Sequence, residues 1–309
     1  MWRMKNLLTV ILMLACCFCS CSRSDTETVR SMYYWSTTFR IDSAKQAFLE
    51  EHRITKLYVR YFDVVMNENN EPMPNATIRF ESAMPDSTEI IPTIFITTDC
   101  MMQPAGDLAD KILGRVLQMN ETHDILNVHE IQMDCDWTPK SRQHYFDFLT
   151  DLREKAKKHG LRLSTTIRLH QLAQKAPPAD RGVLMMYNTG DHTDIHCERP
   201  ILDIETAKPY LRYLSSYSLP LATAYPLYRW DIVFRNNRYM GILHFEDEFP
   251  VMPGDSIVTR EPTPEIVLQA RRLINVKRRQ ANEETILFDL TNNNIKRFKP
   301  NEYEKILSD

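Results

Sequence analysis

Glu130-Ile131-Gln132-Met133-Asp134-Cys135-Asp136-Trp137-Thr138 reads as a buried strand that ends in two carboxylates. Side chains alternate faces along a strand, so Gln132, Asp134 and Asp136 share one face while Ile131, Met133 and Cys135 take the other. A helix signal follows at once: Thr138 can cap, Pro139 suits the first helical position, and Tyr145, Leu149, Leu152 and Ala156 recur at helical spacing. Burying a carboxylate is costly unless it is paired. Acids at the end of an apolar strand therefore mark a place where the fold gathers polar groups. The strand-end face of an α/β barrel is such a place.

Working outward, short apolar or β-branched runs alternate with helical patterns, as in a parallel-sheet fold. The strand candidates are Met32–Phe39, Lys56–Val65, Ile90–Thr98, Val128–Trp137, Arg162–His170, Gly182–Asn188, Pro220–Pro226 and Thr285–Leu290. Helical patterns cover Ser43–His52, Asp107–Met119, Ser141–His159, Thr206–Tyr217 and Pro264–Arg279. Eight strands in a chain of this size predict a (β/α)₈ TIM-like barrel, with an open doubly wound sheet as the alternative. Two pieces break the pattern. Ala76–Glu81 looks like an added strand, and Tyr228–Arg235 with Arg238–Phe245, around Asn236-Asn237, looks like a β-hairpin inserted between strands seven and eight.

The first twenty residues have the parts of a secretory signal: Arg3 and Lys5, then the apolar run Leu7 to Ala15, then small residues and cysteines. Four of the seven cysteines (Cys16, Cys17, Cys19, Cys21) crowd the end of that run. This resembles a bacterial lipoprotein signal, in which a small residue precedes a cysteine that is lipidated. Cys21 after Ser20 is the favoured site, Cys16 after Ala15 the alternative. The expected organisation is a signal over residues 1–20, a tether over 21–31 and one barrel domain over 32–309. The expected location is a bacterial cell envelope, lipid-anchored and facing the periplasm or exterior. Net charge is −3 with both signs interspersed, which gives no basis for nucleic-acid binding. With 7 glycines and no phosphate-cradling loop or dinucleotide fingerprint, no nucleotide cofactor is expected.

Polar and aromatic residues gather at the expected strand ends. They include Asp63, Asp99, Asp134, Asp136, His170, Tyr187, Tyr225, Trp230 and Asp289, with Arg60 and Arg168 beside them. Paired carboxylates divide acid and base roles when their environments separate their pKa values, and aromatic rings around a cleft suit the apolar faces of sugars. On this reading Asp136 is a general acid and Asp134 holds or polarises it. Asp63, Asp99, His170, Tyr225, Trp230 and Asp289 are the substrate-contact candidates, and Trp35 and Trp137 are further platform candidates, although any single tryptophan is more often core or partial core. Two alternatives stay open: a cleft that binds without turnover, and a buried ion network in which the two aspartates orient Arg60 or Arg168. His192 and His196 stand four apart, but Gly190 and Pro200 flank them, so a loop is expected rather than a metal site.

The strand Gln132-x-Asp134-x-Asp136 resembles the signature strand of chitinase-like glycoside hydrolases of family 18, which ends in alternating acids with a glutamate last. The resemblance lays Asp136 on the acid, Asp134 on its supporting aspartate and Gln132 on a further aspartate. It lays Tyr187, in Met185-Met186-Tyr187-Asn188, on a tyrosine that contacts the reacting acetamido group. The wider pattern, with Leu163-Ser164-Thr165-Thr166, looks closer to bacterial barrel lipoproteins related to those hydrolases. It implies a barrel, a site at its mouth and a glycan or peptidoglycan fragment as partner, without fixing an activity. The aspartate, one methylene shorter than glutamate, and the glutamine depart from the hydrolase pattern.

Overall fold

The computed structural model describes residues 28–85, 87–243 and 252–308. Eight parallel strands close on themselves: β1 (Val29–Tyr34), β2 (Lys56–Met66), β3 (Glu89–Ile96), β4 (Glu130–Asp134), β5 (Arg162–Arg168), β6 (Arg181–Met185), β7 (Leu221–Pro226) and β8 (Glu284–Phe288). Each pairs with the next in chain order, and β8 returns to β1. The fold is a TIM-like barrel, and the open sheet is excluded by that closing pair.

The alternation in the sequence explains the closure. One face of each strand meets a ring of helices, so Met32, Leu57, Ile131, Leu163, Leu184 and Leu287 bury in the layer between sheet and helices. That outer layer receives α1 (Ser43–Glu51), α2 (Leu108–Thr122), α3 (Arg142–Lys158), α4 (Ile204–Leu211), α5 (Pro264–Arg278) and α6 (Pro300–Ser308). Asp42 caps α1 through Ala44 N and Lys45 N, and Thr263 caps α5 through Ile266 N with Pro264 at its first turn. The other face fills the barrel with Tyr33, Tyr58, Ile91, Val183, Ala222 and Ile286.

Below these, at the strand starts, sits a ring of charges. Glu284 accepts from Ser31 Oγ at 2.7 Å and Tyr58 Oη at 2.8 Å, and pairs with Arg181 at 2.5 Å and Lys56 at 3.6 Å. Lys56 also reaches Glu89 at 3.3 Å, and Glu130 lies 3.5 Å from Arg162 and 3.8 Å from Arg181. Glu284, although buried, keeps a pKa below the ordinary value: desolvation opposes its charge, and Arg181, Lys56 and Ser31 outweigh it.

Several boundaries depart from the sequence reading. β1 starts at Val29, inside the expected tether, because Val29 and Arg30 pair in register with Glu284 and Thr285. The added piece after β2 is Pro72–Asn75, antiparallel to β2, while Arg79–Phe80 pairs with Thr38–Phe39. α4 ends at Leu211, and Leu214–Ser216 forms a separate 3₁₀ turn. The hairpin is present as Trp230–Arg235 and Arg238–Leu243, turning through Asn236 and Asn237, both at positive φ. A third strand, Asp255–Arg260, joins it. α3 begins at Arg142 rather than at Pro139, since Thr138 O accepts from Ser141 N and Arg142 N in a preceding turn. α6 is unforeseen in the sequence reading. The expected signal, tether and Cys21 lie at or before residue 27, outside the described residues, apart from the last residues of the tether. No helix among the described residues is long and apolar enough to cross a membrane.

Candidate functional site

The strand C-termini surround a cleft of about 1500 Å³. That exceeds the range of roughly 300–1,000 Å³ common for small-molecule pockets. Its floor is built by β4 and β5. Asp134, the last residue of β4, is buried and accepts from Thr166 Oγ1 at 2.6 Å and Arg168 Nη2 at 3.1 Å. Arg168, at the end of β5, turns its Nε to Asp136, whose side chain is 55% exposed. One guanidinium thus ties the buried aspartate to the open one. Burial raises the Asp134 pKa, with Arg168 and Thr166 opposing the shift. For Arg168, burial opposes the charge, but Asp134, Tyr187 and Asp136 hold its pKa above the ordinary value.

Gln132, one step below Asp134 on the same face, is fully buried inside the barrel. It accepts from Tyr33 Oη at 2.7 Å, and its Nε2 lies 3.5 Å from Ser164 Oγ. An acid there would need a charge partner at that depth. An amide needs only hydrogen bonds.

Aromatic rings form the wall. Phe288, at the end of β8, touches Trp35 (centroids 5.4 Å apart), Tyr187 (5.3 Å) and Tyr228 (5.9 Å), and Tyr228 continues to Trp230 at 5.5 Å. Tyr187 donates from its hydroxyl to Met185 Sδ at 3.3 Å, and burial raises its pKa. Arg60 lies over the Trp35 ring at 5.3 Å, pinned from behind by Asp63. The inserted sheet adds Trp230, Asp231, Ile242 and Leu243 to the rim. His170 stands exposed at the edge; partial desolvation lowers its pKa, and Asp136 pulls it the other way.

The structure brings Asp134, Asp136, His170, Tyr187 and Trp230 to this cleft, together with Trp35. Four candidates stand elsewhere. Tyr225 points out of the barrel, because Ala222 and Ala224 hold the inward phase of β7; its hydroxyl donates to Asn282 Oδ1 at 2.8 Å. Asp63 is turned behind Arg60 by a register irregularity between Arg60 and Phe62. Asp99 sits exposed in the 3₁₀ turn Thr98–Met101, accepting from Cys100 N. Asp289 is buried one layer back, holding Asn294, which does line the cleft. Trp137 is no platform: it is fully buried and packs on Phe146. His192 packs against Trp230 and Tyr239, and no group of three or more potential metal ligands exists among the described residues.

Phe288, Tyr228 and Asn294 were not among the sequence candidates. Phe288 follows from counting by twos from Glu284 through Ile286. Tyr228 opens the expected hairpin strand two residues before Trp230, while Asn294 lies beyond the strands, where no period reaches it.

No family model matches the chain, and no curated protein matches it in sequence. Solved structures do match in shape. The C-terminal domain of a putative chitinase from Desulfitobacterium hafniense aligns over 91% of this chain and 99% of its own, with a TM-score of 0.59 and 9% identity. The spore cortex-lytic enzyme SleL of Bacillus megaterium aligns over 90% of this chain and 73% of its own, with a TM-score of 0.57 and 12% identity. The GH18 chitinase ChiB of Flavobacterium johnsoniae aligns over 91% and 93%, with a TM-score of 0.54 and 13% identity. The chain shares their fold. At this identity the likeness extends to the barrel and not to an activity.

Proposed function

We propose that the cleft is a glycan-binding site on an envelope-anchored barrel, with Asp136 and Arg168 acting as polar contacts for the sugar. The observation that carries this reading is the continuous wall Trp35–Phe288–Tyr187–Tyr228–Trp230 facing the Asp134–Arg168–Asp136 floor. Such a surface offers apolar faces to sugar rings and donors and acceptors to their hydroxyls. Arg60, Arg168, Arg229 and Arg297 each have a carboxylate partner, while Lys296, also in the lining, has no ion pair among the described residues.

Hydrolysis with Asp136 as general acid is the second reading. It is favoured by Asp134, a buried carboxyl with a raised pKa two residues before Asp136 and bridged to it through Arg168. Against it, Asp136 serves Arg168 as an acceptor, whereas a general acid must present a proton to the leaving group. The soluble domain should be screened on a glycan array and on chromogenic N-acetylhexosaminides in parallel. Binding without release of chromophore, kept in Asp136→Asn, supports recognition; turnover lost in Asp136→Asn supports hydrolysis. Absence of both sinks the glycan reading. The anchor is proposed at Cys21, and a Cys21→Ser protein that still labels with a palmitate analogue would move it to Cys16.

A further inference from the structure

Asn294 follows β8 at the start of the short turn Asn294–Lys296, and its hydrogen-bonding groups can be accounted for one by one. Its backbone N donates to Thr291 Oγ1 at 3.2 Å, and its backbone O accepts from Tyr303 Oη at 2.8 Å and from Arg297 N at 3.1 Å. Its Nδ2 donates twice to Asp289, to the carboxylate Oδ1 at 2.6 Å and to the carbonyl O at 3.2 Å. Only Oδ1 accepts nothing among the described residues. Oδ1 also keeps some accessible surface, on a residue that lines the cleft. Amide oxygen and nitrogen are told apart by their partners. Here the reversed amide would set Oδ1 against two acceptors and leave Asp289 without its donor.

We propose that Asp289 is a positioning residue that fixes the Asn294 amide, so that Oδ1 faces the cleft as an acceptor for a hydroxyl or amide N–H of the bound glycan. This rests on the glycan-binding reading and sharpens it, adding a fixed neutral acceptor to a cleft whose floor is the Asp–Arg–Asp bridge. It also gives Asp289 a part in the site without contact. The carboxylate is a layer too deep to touch a sugar, yet it dictates which end of Asn294 the sugar meets. Asn at position 289 would preserve this, because its own amide oxygen still accepts from Asn294. Leu would not.

The experiment uses N-acetylchitotetraose as probe in calorimetry, with side-chain amide exchange of Asn294 followed by NMR in the unliganded protein. The Asn294 amide protons should exchange slowly in wild type and Asp289→Asn, and quickly in Asp289→Leu. Affinity should fall by about three- to tenfold in Asn294→Leu, the loss of one neutral hydrogen bond, and be retained in Asp289→Asn. Unchanged affinity in Asn294→Leu, or fast exchange in wild type, overturns the inference while glycan binding stands. If the wild-type protein fails to bind the probe although its Asn294 amide is protected, the amide geometry holds, and the glycan reading falls together with the contact assigned to Oδ1. Should Asp289→Leu fail to fold, Asn294→Leu against wild type decides.

Discussion

Asp134 and Asp136 stand two residues apart and share the guanidinium of Arg168, but not an environment: the Asp134 side chain is 5% exposed and that of Asp136 is 55%. Solvent screens one half of the bridge and not the other. The two halves therefore differ in what their loss costs.

Asp136→Asn removes the open half and should cost no more than about 1 kcal/mol, as for exposed pairs. Arg168→Met strips the buried Asp134 of its cation and should cost roughly 3–5 kcal/mol. Thermal melts of the two variants check the contrast. Equal, large losses would make Asp136 a scaffold residue and remove it from the site.

Asp289 offers a pH test. Burial pushes its pKa from an ordinary 3.8 up to about 6, with the Asn294 bond opposing. The unfolded chain therefore sheds this proton first as pH rises. The folded state is favoured by the neutral carboxyl below about pH 4, and that advantage is lost as pH climbs through 6, up to ~3 kcal/mol in all. Asp289→Asn keeps an acceptor without the charge, so urea midpoints from pH 4 to 8 should show the wild type falling relative to the variant. Parallel curves would show that the buried carboxyl is not titrating in this window.

Glu284→Gln should destabilise by roughly 3–5 kcal/mol, because Lys56 and Arg181 lose their shared anion inside the barrel. For a domain of this size that lowers the melting temperature on the order of 10 °C. Glycan affinity should be unchanged, since Tyr33, Tyr58 and Gln132 separate the ring from the cleft. A loss of affinity in a still-folded variant would mean that the two ends of the barrel communicate.

Tyr225→Phe deletes a hydroxyl that donates to Asn282 Oδ1 in the outer layer. It should cost about 1 kcal/mol in a denaturant titration and leave binding untouched. Weakened binding at full stability would return Tyr225 to the cleft.

A parallel sheet covered on both faces is legible in the runs beginning near Lys56, Glu89, Glu130 and Arg162, and the count of eight such strands is what points to a barrel rather than an open doubly wound sheet. The floor is legible for the same reason: Asp134 and Arg168 interrupt strands in the inward phase. Period two fails where the backbone changes phase. It sends Asp63 behind Arg60 at an irregularity, and it misplaces Tyr225 when a chemically attractive side chain is preferred over the small, inward Ala222 and Ala224. Trp137 continues the outward phase of Ile131, Met133 and Cys135 into the core, whereas Asn294, at the mouth, lies beyond the strand ends where no period applies.

The charge ring at the strand starts and the side chains packed above it close the barrel at one end. Among the described residues, then, no path into the cleft runs along the barrel axis from below. A long polymer can lie across the mouth or dip one terminus into it, but it cannot be threaded through the barrel axis.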